Sequence, residues 1–148
     1  MTYFCLLICL LFCNCMKAQS PDDSVRSAVN QLFTALKNAD SALFVSSFND
    51  KAILQRVVEK NGKVQIETES VTDAASEVAK LQKGIFDERI QFDVIKIDGA
   101  LAIVWAPYKF YYNGKLSHCG ADSYQLVRIN GKWKIQYVND SMRSQGCE

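Results

Sequence analysis

The chain contains little histidine and few of the residues that interrupt secondary structure. Its 148 residues include one histidine, two prolines and seven glycines. Because His118 has no companion ligand, a metal site is not expected, and no motif for an organic cofactor is present. The sequence also lacks internal repeats, low-complexity runs and linkers. A chain of this length without linkers predicts one folded domain.

Neither sign of charge is in excess. The chain has 17 lysines and arginines against 16 aspartates and glutamates, which gives a formal net charge of +1 at pH 7. The basic residues are also not clustered along the sequence. Because a nucleic-acid-binding protein usually carries a basic excess or a basic patch, nucleic acid is not expected as a partner.

Long hydrophobic runs are confined to residues 3–15, which are almost entirely Leu, Ile, Phe and Cys. This run is too short to span a bilayer but fits the core of a secretory signal, although no Lys or Arg precedes it. We expect residues 1–18 to be removed and residues 19–148 to form a soluble domain, secreted or periplasmic and not held at a membrane. Lipid attachment at Cys13 or Cys15 is the less favoured alternative, because neither is preceded by the small residues of a lipidation site.

Removal of the signal takes away four of the six cysteines. The two that remain, Cys119 and Cys147, are a disulfide candidate because an exported chain meets an oxidising environment. The alternative is a reactive thiol at Cys119 beside His118. We favour the disulfide, because adjacent side chains on a strand point to opposite faces.

Three helix starts are expected in the first half of the chain, at Ser20-Pro21, Asp40 and Ser70. Each begins with a side chain that caps helices, and Pro21 suits the first helical position. Apolar residues recur at helical spacing after Ser20 and again after Ser70, where the pattern continues to Gly84.

Four dipeptides that favour two-residue hairpin turns divide the rest of the chain: Asn61-Gly62, Asp98-Gly99, Asn113-Gly114 and Asn130-Gly131. The first predicts a hairpin of residues 52–58 and 63–69, with Arg56 opposite Glu67. The other three predict a four-stranded antiparallel meander over residues 90–140. The expected fold is therefore α+β, with a cone-shaped curved sheet, made of the meander and the hairpin, covered on one face by about three helices.

If each turn of the meander contains two residues, the register fixes the composition of both faces. The expected inner face carries an aromatic and polar set that lines a cavity: Trp105, Tyr124, Tyr137, Asp122 and Asn139, with Glu88, Lys109 and His118 at the rim. The expected outer face carries Tyr108, Phe110 and Tyr112 with Val104 and Val138. A bulge at Pro107 or Gly120 is the alternative, since it would shift the register and move His118 outside.

Four segments resemble one protein family: residues 87–90 (DERI), 105–111 (WAPYKFY), 117–120 (SHCG) and 131–135 (GKWKI). Together with the order of elements, they resemble the nuclear transport factor 2-like superfamily and, within it, the exported bacterial branch labelled lumazine-binding. The resemblance implies a cone-shaped fold around a cavity. It does not imply one activity, because the superfamily includes isomerases, dehydratases, cyclases and non-catalytic binding or dimerisation modules.

Three functional hypotheses follow. The first, which we favour, is non-catalytic binding of a small molecule in the aromatic-lined cavity. The second is an isomerase or dehydratase in which Asp122 acts as general base and His118 as acid or orienting group. The third is a homodimer formed through the apolar outer face of the sheet, which is compatible with either of the others.

Overall fold

The computed structural model describes residues 20–147, so the hydrophobic run and the expected signal lie outside the described residues. Residues 20–147 contain three helices: α1 (Pro21–Asn38), α2 (Ser41–Ser46) and α3 (Val71–Val78). The three expected starts are confirmed, because the side chains of Ser20, Asp40 and Ser70 each accept a hydrogen bond from a backbone N–H of the first turn. Within the described residues, no helix is long and apolar enough to cross a membrane.

Helix α3 ends earlier than the periodic pattern predicted, at Val78 rather than near Gly84. After it, the backbone N–H groups of Lys80 and Leu81 bond carbonyls three residues back, which tightens the chain into turns. The N–H of Gly84 then donates to the carbonyl of Lys37 at 2.7 Å. This bond ties the segment to the end of α1 and turns it towards the sheet.

In the described part of the chain, seven strands form one curved, unclosed sheet: β1 (Phe48–Lys60), β2 (Lys63–Glu69), β3 (Phe86–Ile90), β4 (Val94–Asp98), β5 (Leu101–Tyr112), β6 (Lys115–Ile129) and β7 (Lys132–Arg143). Their order is β2-β1-β7-β6-β5-β3, and β4 pairs with the same edge of β5 as β3 does. The α+β class, the meander and the β1–β2 hairpin are confirmed, and Arg56 pairs with Glu67 as expected. The parallel pairing of β1 with β7 was not predicted.

The predicted turns are correct at Asn61-Gly62, Asn113-Gly114 and Asn130-Gly131, where both residues of each loop have positive φ. The remaining turn differs by one position. Asp98 pairs with Leu101, so its loop is Gly99 and Ala100, with glycine at the first loop position.

Two β-bulges make the predicted register wrong over the middle of the sheet. In β6, Ser117 is an extra residue, because Tyr111 pairs with Leu116 while Phe110 pairs with His118. In β7, Gln136 is an extra residue, between the Leu126–Ile135 and Gln125–Tyr137 pairs. A one-residue shift moves every following side chain to the other face.

The helices pack on the inner face of the sheet, where Tyr124, Leu126, Ile135 and Trp133 are buried as predicted. The indole N–H of Trp133 donates to the hydroxyl of Ser24 on α1 at 3.0 Å. This contact joins the last strand to the first helix of the described chain.

The predicted disulfide is present, with the sulfurs of Cys119 and Cys147 2.17 Å apart. It attaches the tail after β7 to the outer face of β6. The reactive-thiol alternative for Cys119 is therefore not supported.

Candidate functional site

An open cavity of about 840 Å³ lies between the inner face of the sheet and the helices. Its wall is largely apolar and includes Leu36, Phe44, Phe48, Leu54, Val78 and Val138. One part of the wall is polar, where β3, β5, β6, β7 and β1 lie side by side. The volume and the concentration of polar groups in one region are typical of a small-molecule site.

Asp122 on β6 is at the centre of the polar region and is only 3% exposed. The hydroxyl of Tyr124 donates a hydrogen bond to its carboxylate at 2.9 Å, and the carboxyl of Glu88 on β3 is in hydrogen-bonding contact with it. Burial raises the pKa of Asp122 to about 7, and the negative charge of Asp140 adds to the rise, while the bond from Tyr124 opposes it. The carboxyl can therefore gain or lose a proton near neutral pH.

Glu88 shares this environment. Burial and the neighbouring charges of Asp122 and Asp140 raise the pKa of Glu88 well above the usual range of a glutamate. Two carboxyls in contact within a partly buried site favour a state in which one is protonated and donates to the other. Because the shared proton is donated within the pair, the remaining carboxyl oxygens face the cavity as acceptors.

Arg56 on β1 and Asp140 on β7 form an ion pair beside this carboxyl pair. The guanidinium Nε donates to the Asp140 carboxylate at 2.8 Å, and the two residues are partners in the parallel β1–β7 register. Among the described side chains, Arg56 is the only cation whose charge lowers the pKa of Asp122. The pair therefore moderates the negative charge of the polar region.

Tyr108 on β5 is part of the polar wall of the cavity and is almost fully buried. Its hydroxyl donates to the backbone carbonyl of Ser141 at 2.9 Å. This contact requires a glycine at position 120, because a Cβ there would meet the Ser141 carbonyl oxygen at 1.7 Å and the Tyr108 ring at 2.7 Å. Gly120 therefore lets β6 and β7 approach closely beneath the site.

His118 lines the cavity from the inner face of β6, where the sequence had placed it. Its ring stacks on Phe110 with the centroids 4.6 Å apart and is hydrogen-bonded to Ser117 at 3.2 Å. Burial, with the positive charge of Arg56, lowers the pKa of His118. It is four residues from Asp122 along β6, roughly 13 Å between backbones at the rise of a strand, and a joint catalytic role of the two residues stays a prediction.

Four residues predicted to line the cavity do not: Trp105, Tyr137, Asn139 and Lys109. The bulge in β6 pairs Trp105 with Ser123, on the outer face, where the indole is 47% exposed. The bulge in β7 moves Tyr137 and Asn139 to that face as well and places Asp140 opposite Asp122. Lys109 pairs with Cys119 and also faces outwards.

The same shifts correct the expected outer face. Val104 and Tyr108 are buried on the inner face, and Phe110 and Val138 line the cavity. Tyr112 is exposed at the end of β5, where its ring packs against Phe86.

The sequence reasoning missed Arg56, Asp140, Tyr108 and Phe110 as cavity residues. The sequence placed Arg56 only in the β1–β2 hairpin, opposite Glu67. The ion-pair partner of Arg56 is Asp140 on β7. It is brought close by a parallel strand pairing, which no turn motif in the sequence predicts. Among residues 20–147, no group of three or more potential ligands is arranged to hold a metal ion.

No protein-family model and no curated protein matches the chain. Solved structures do match. An NTF2-like protein of unknown function from Shewanella baltica OS155 has a TM-score of 0.64 at 15% identity, covering 82% of this chain and 93% of that chain. An NTF2-like protein of unknown function from Methylobacillus flagellatus KT has a TM-score of 0.64 at 17% identity, with 84% and 95% covered.

A third structure, from Nostoc punctiforme PCC 73102, is described as a protein of unknown function with a cystatin-like fold. Its TM-score is 0.66 at 10% identity, and 85% of this chain and 95% of that chain are covered. Such low identities establish the fold alone. The chain has the NTF2-like fold, as the resemblance implied, while membership of the lumazine-binding branch stays a prediction.

Proposed function

We propose that the domain binds a small molecule in the cavity between its helices and sheet. The observation that carries this proposal is the open space of about 840 Å³ with an apolar wall and one polar region around Asp122 and Glu88. A compact, largely apolar molecule with a hydrogen-bonding group at one end suits that arrangement. The ligand residues proposed are Asp122, Glu88, Tyr124 and His118, without the four that face outwards.

A thermal-shift screen of a small-molecule library would test this proposal. Val138→Phe fills the cavity from β7, whereas Ile103→Phe makes a similar change on the exposed outer face of β5. Compounds that bind the cavity should raise the melting temperature of the wild type and of Ile103→Phe but not of Val138→Phe. Hits that stabilise all three proteins equally would place binding elsewhere, and a screen without hits would count against the proposal.

Acid–base catalysis is the second candidate, favoured by the contact between the Asp122 and Glu88 carboxyls and by the pKa of Asp122 of about 7. An ionised carboxylate could take a proton from a carbon acid and its protonated neighbour could return one. In this version Glu88, not His118, is the partner of Asp122.

Exchange of carbon-bound hydrogen for deuterium in a panel of small ketones, followed by NMR in D₂O, would test it. Asp122→Asn should abolish protein-dependent exchange. Asp50→Asn, which changes an exposed carboxylate on β1, should leave the exchange unchanged. Exchange that survives Asp122→Asn would exclude this residue as the base.

Self-association is a third proposal, now with different residues. The outer face exposes Val94, Leu101, Ile103 and Trp105, which are 40–48% accessible. An apolar patch of this kind suits an interface with a second copy of the chain. Light scattering should then detect a dimer that Trp105→Lys converts to a monomer, and a monomeric wild type would refute the proposal.

Export of the domain is also proposed. It is supported by the hydrophobic run at residues 3–15 and by the Cys119–Cys147 disulfide, which suits an oxidising compartment. Fractionation of the native host, with immunodetection of the processed chain, would test it. Protein recovered only with the cytosol would contradict export.

A further inference from the structure

A second concave surface lies on the outer face of the sheet. One row of the register places Arg89 of β3, Lys109 of β5, Cys119 of β6 and Arg143 of β7 side by side. The side chains line a groove of about 370 Å³, and the tail held by the disulfide at Cys147 forms its remaining wall. We call this surface the outer groove.

The outer groove is lined by three cations and by no acidic side chain of the described chain. Arg89 is partly compensated, because it contacts Asp87 at 2.9 Å and lies 4.1 Å above the ring of Tyr111. Within residues 20–147, Lys109 and Arg143 form no ion pair. Two positive charges in the same row thus have no anion among the described side chains to oppose them.

The two surfaces of the sheet differ in charge. The lining of the inner cavity includes six acidic side chains against two cations. The outer groove has the opposite sign, although the chain as a whole is close to neutral. An anionic molecule would therefore be attracted to the outer groove and repelled from the cavity.

We propose that the outer groove binds a small molecule carrying two or more oxyanion groups, either phosphates or carboxylates. Arginine offers paired N–H donors that match an oxyanion, and lysine supplies a flexible point charge. Lys109 and Arg143 are separated by one intervening strand, or roughly 10 Å between backbones. One molecule with charges at both ends can contact both side chains.

The disulfide has a part in this site. Cys119 occupies the middle of the row, and its bond to Cys147 holds the tail against the groove. Gly146 in the tail has a φ of 64°, a backbone conformation that glycine adopts readily and that turns the chain back towards Cys119. Loss of the disulfide should release this wall and weaken the site.

The experiment is an amide NMR titration of the oxidised protein with pyrophosphate and, separately, with citrate, at constant ionic strength. Saturable shifts should appear in residues 89–91, 108–111 and 143–147, and the tighter probe would identify the oxyanion class. Lys109→Gln and Arg143→Gln should each weaken binding by about tenfold, the value of one charge-assisted hydrogen bond. Absence of saturation with both probes would overturn the proposal.

Lys96→Gln is the matched control, because Lys96 is an exposed lysine of the neighbouring strand β4 outside the groove. It should leave the affinity unchanged, and an equal loss in this variant would show only unspecific charge attraction. Cys147→Ser should weaken binding several-fold, while unchanged affinity would refute the role of the tail. The two charge variants alter surface side chains, so they decide the proposal even if Cys147→Ser does not fold.

Discussion

Replacement of Asp122 by asparagine should make the domain less sensitive to alkaline pH. Burial raises the pKa of this carboxyl from 3.8 to about 7. At about 1.4 kcal/mol for each pKa unit, this corresponds to about 4 kcal/mol between the protonated and ionised forms. Asparagine has a similar shape, can accept the bond from Tyr124 and is neutral at every pH.

Stability should fall with rising pH, because Asp122 ionises at lower pH in the unfolded chain than in the folded chain. The unfolded chain loses the proton of Asp122 near pH 4, whereas the folded chain keeps it until about pH 7. The stability that neutral Asp122 provides is thus complete below pH 4, falls as the pH rises, and is lost above pH 7. About 3 kcal/mol of this loss should occur between pH 5 and pH 8.

Urea unfolding of the oxidised protein at pH 5 and pH 8 measures this effect. The wild type should lose about 3 kcal/mol more than Asp122→Asn over this range. Asp50→Asn, a change at an exposed carboxylate, should behave like the wild type. If the wild type and Asp122→Asn lost the same stability, the buried and largely protonated state of Asp122 would be wrong.

Three further predictions concern stability. Removal of the disulfide by changing Cys119 and Cys147 to serine should cost about 3 to 4 kcal/mol, because the bond closes a loop with a sequence separation of 28 residues; a loss below 1 kcal/mol in chemical denaturation would contradict this. Gly120→Ala should lower stability by about 3 kcal/mol or more, since the new carbon meets a backbone carbonyl, and a neutral effect on the melting curve would refute the close approach. Trp133→Ala should lower the free energy of unfolding by about 3 to 5 kcal/mol, and Trp105→Ala should lower that of a monomer by less than about 1 kcal/mol. The reverse order in urea unfolding would show that the two tryptophans were assigned to the wrong faces.

Local chemistry made much of the fold predictable. Ser20, Asp40 and Ser70 cap helices through contacts with residues three positions away. Both partners of each contact can therefore be read from a short stretch of sequence. In the same way, Asn113-Gly114 and Asn130-Gly131 accept positive φ at both loop positions.

The composition of the faces was predictable only in part, because it depends on bulges. Ser117 and Gln136 are ordinary polar residues, and nothing adjacent to them in sequence identifies them as extra residues in their strands. Asp122 and Tyr124 were placed correctly because they alternate with buried Leu126 on the same strand. Trp105 was misplaced because the register counted from Asn113-Gly114 did not include the extra residue Ser117.

The polar region was predictable to a similar extent. Asp122 was recognised as a buried carboxyl, but its neighbours come from β3 and β1, far away in sequence. Glu88 reaches it through the β3–β5 pairing, and Arg56 through the β7 ion pair. Contacts between distant strands depend on the whole sheet, which the pattern of a single strand does not contain.

The most direct test of the central proposal is an amide NMR titration with the best compound from the thermal-shift screen. Binding in the cavity predicts saturable shifts at Glu88, Asp122 and Tyr124, with little change at Ile103 and Trp105 on the opposite face. The Val138→Phe variant should lose these shifts. Saturable shifts centred on Ile103 and Trp105, with Asp122 and Tyr124 unchanged, would contradict a ligand site inside the cone.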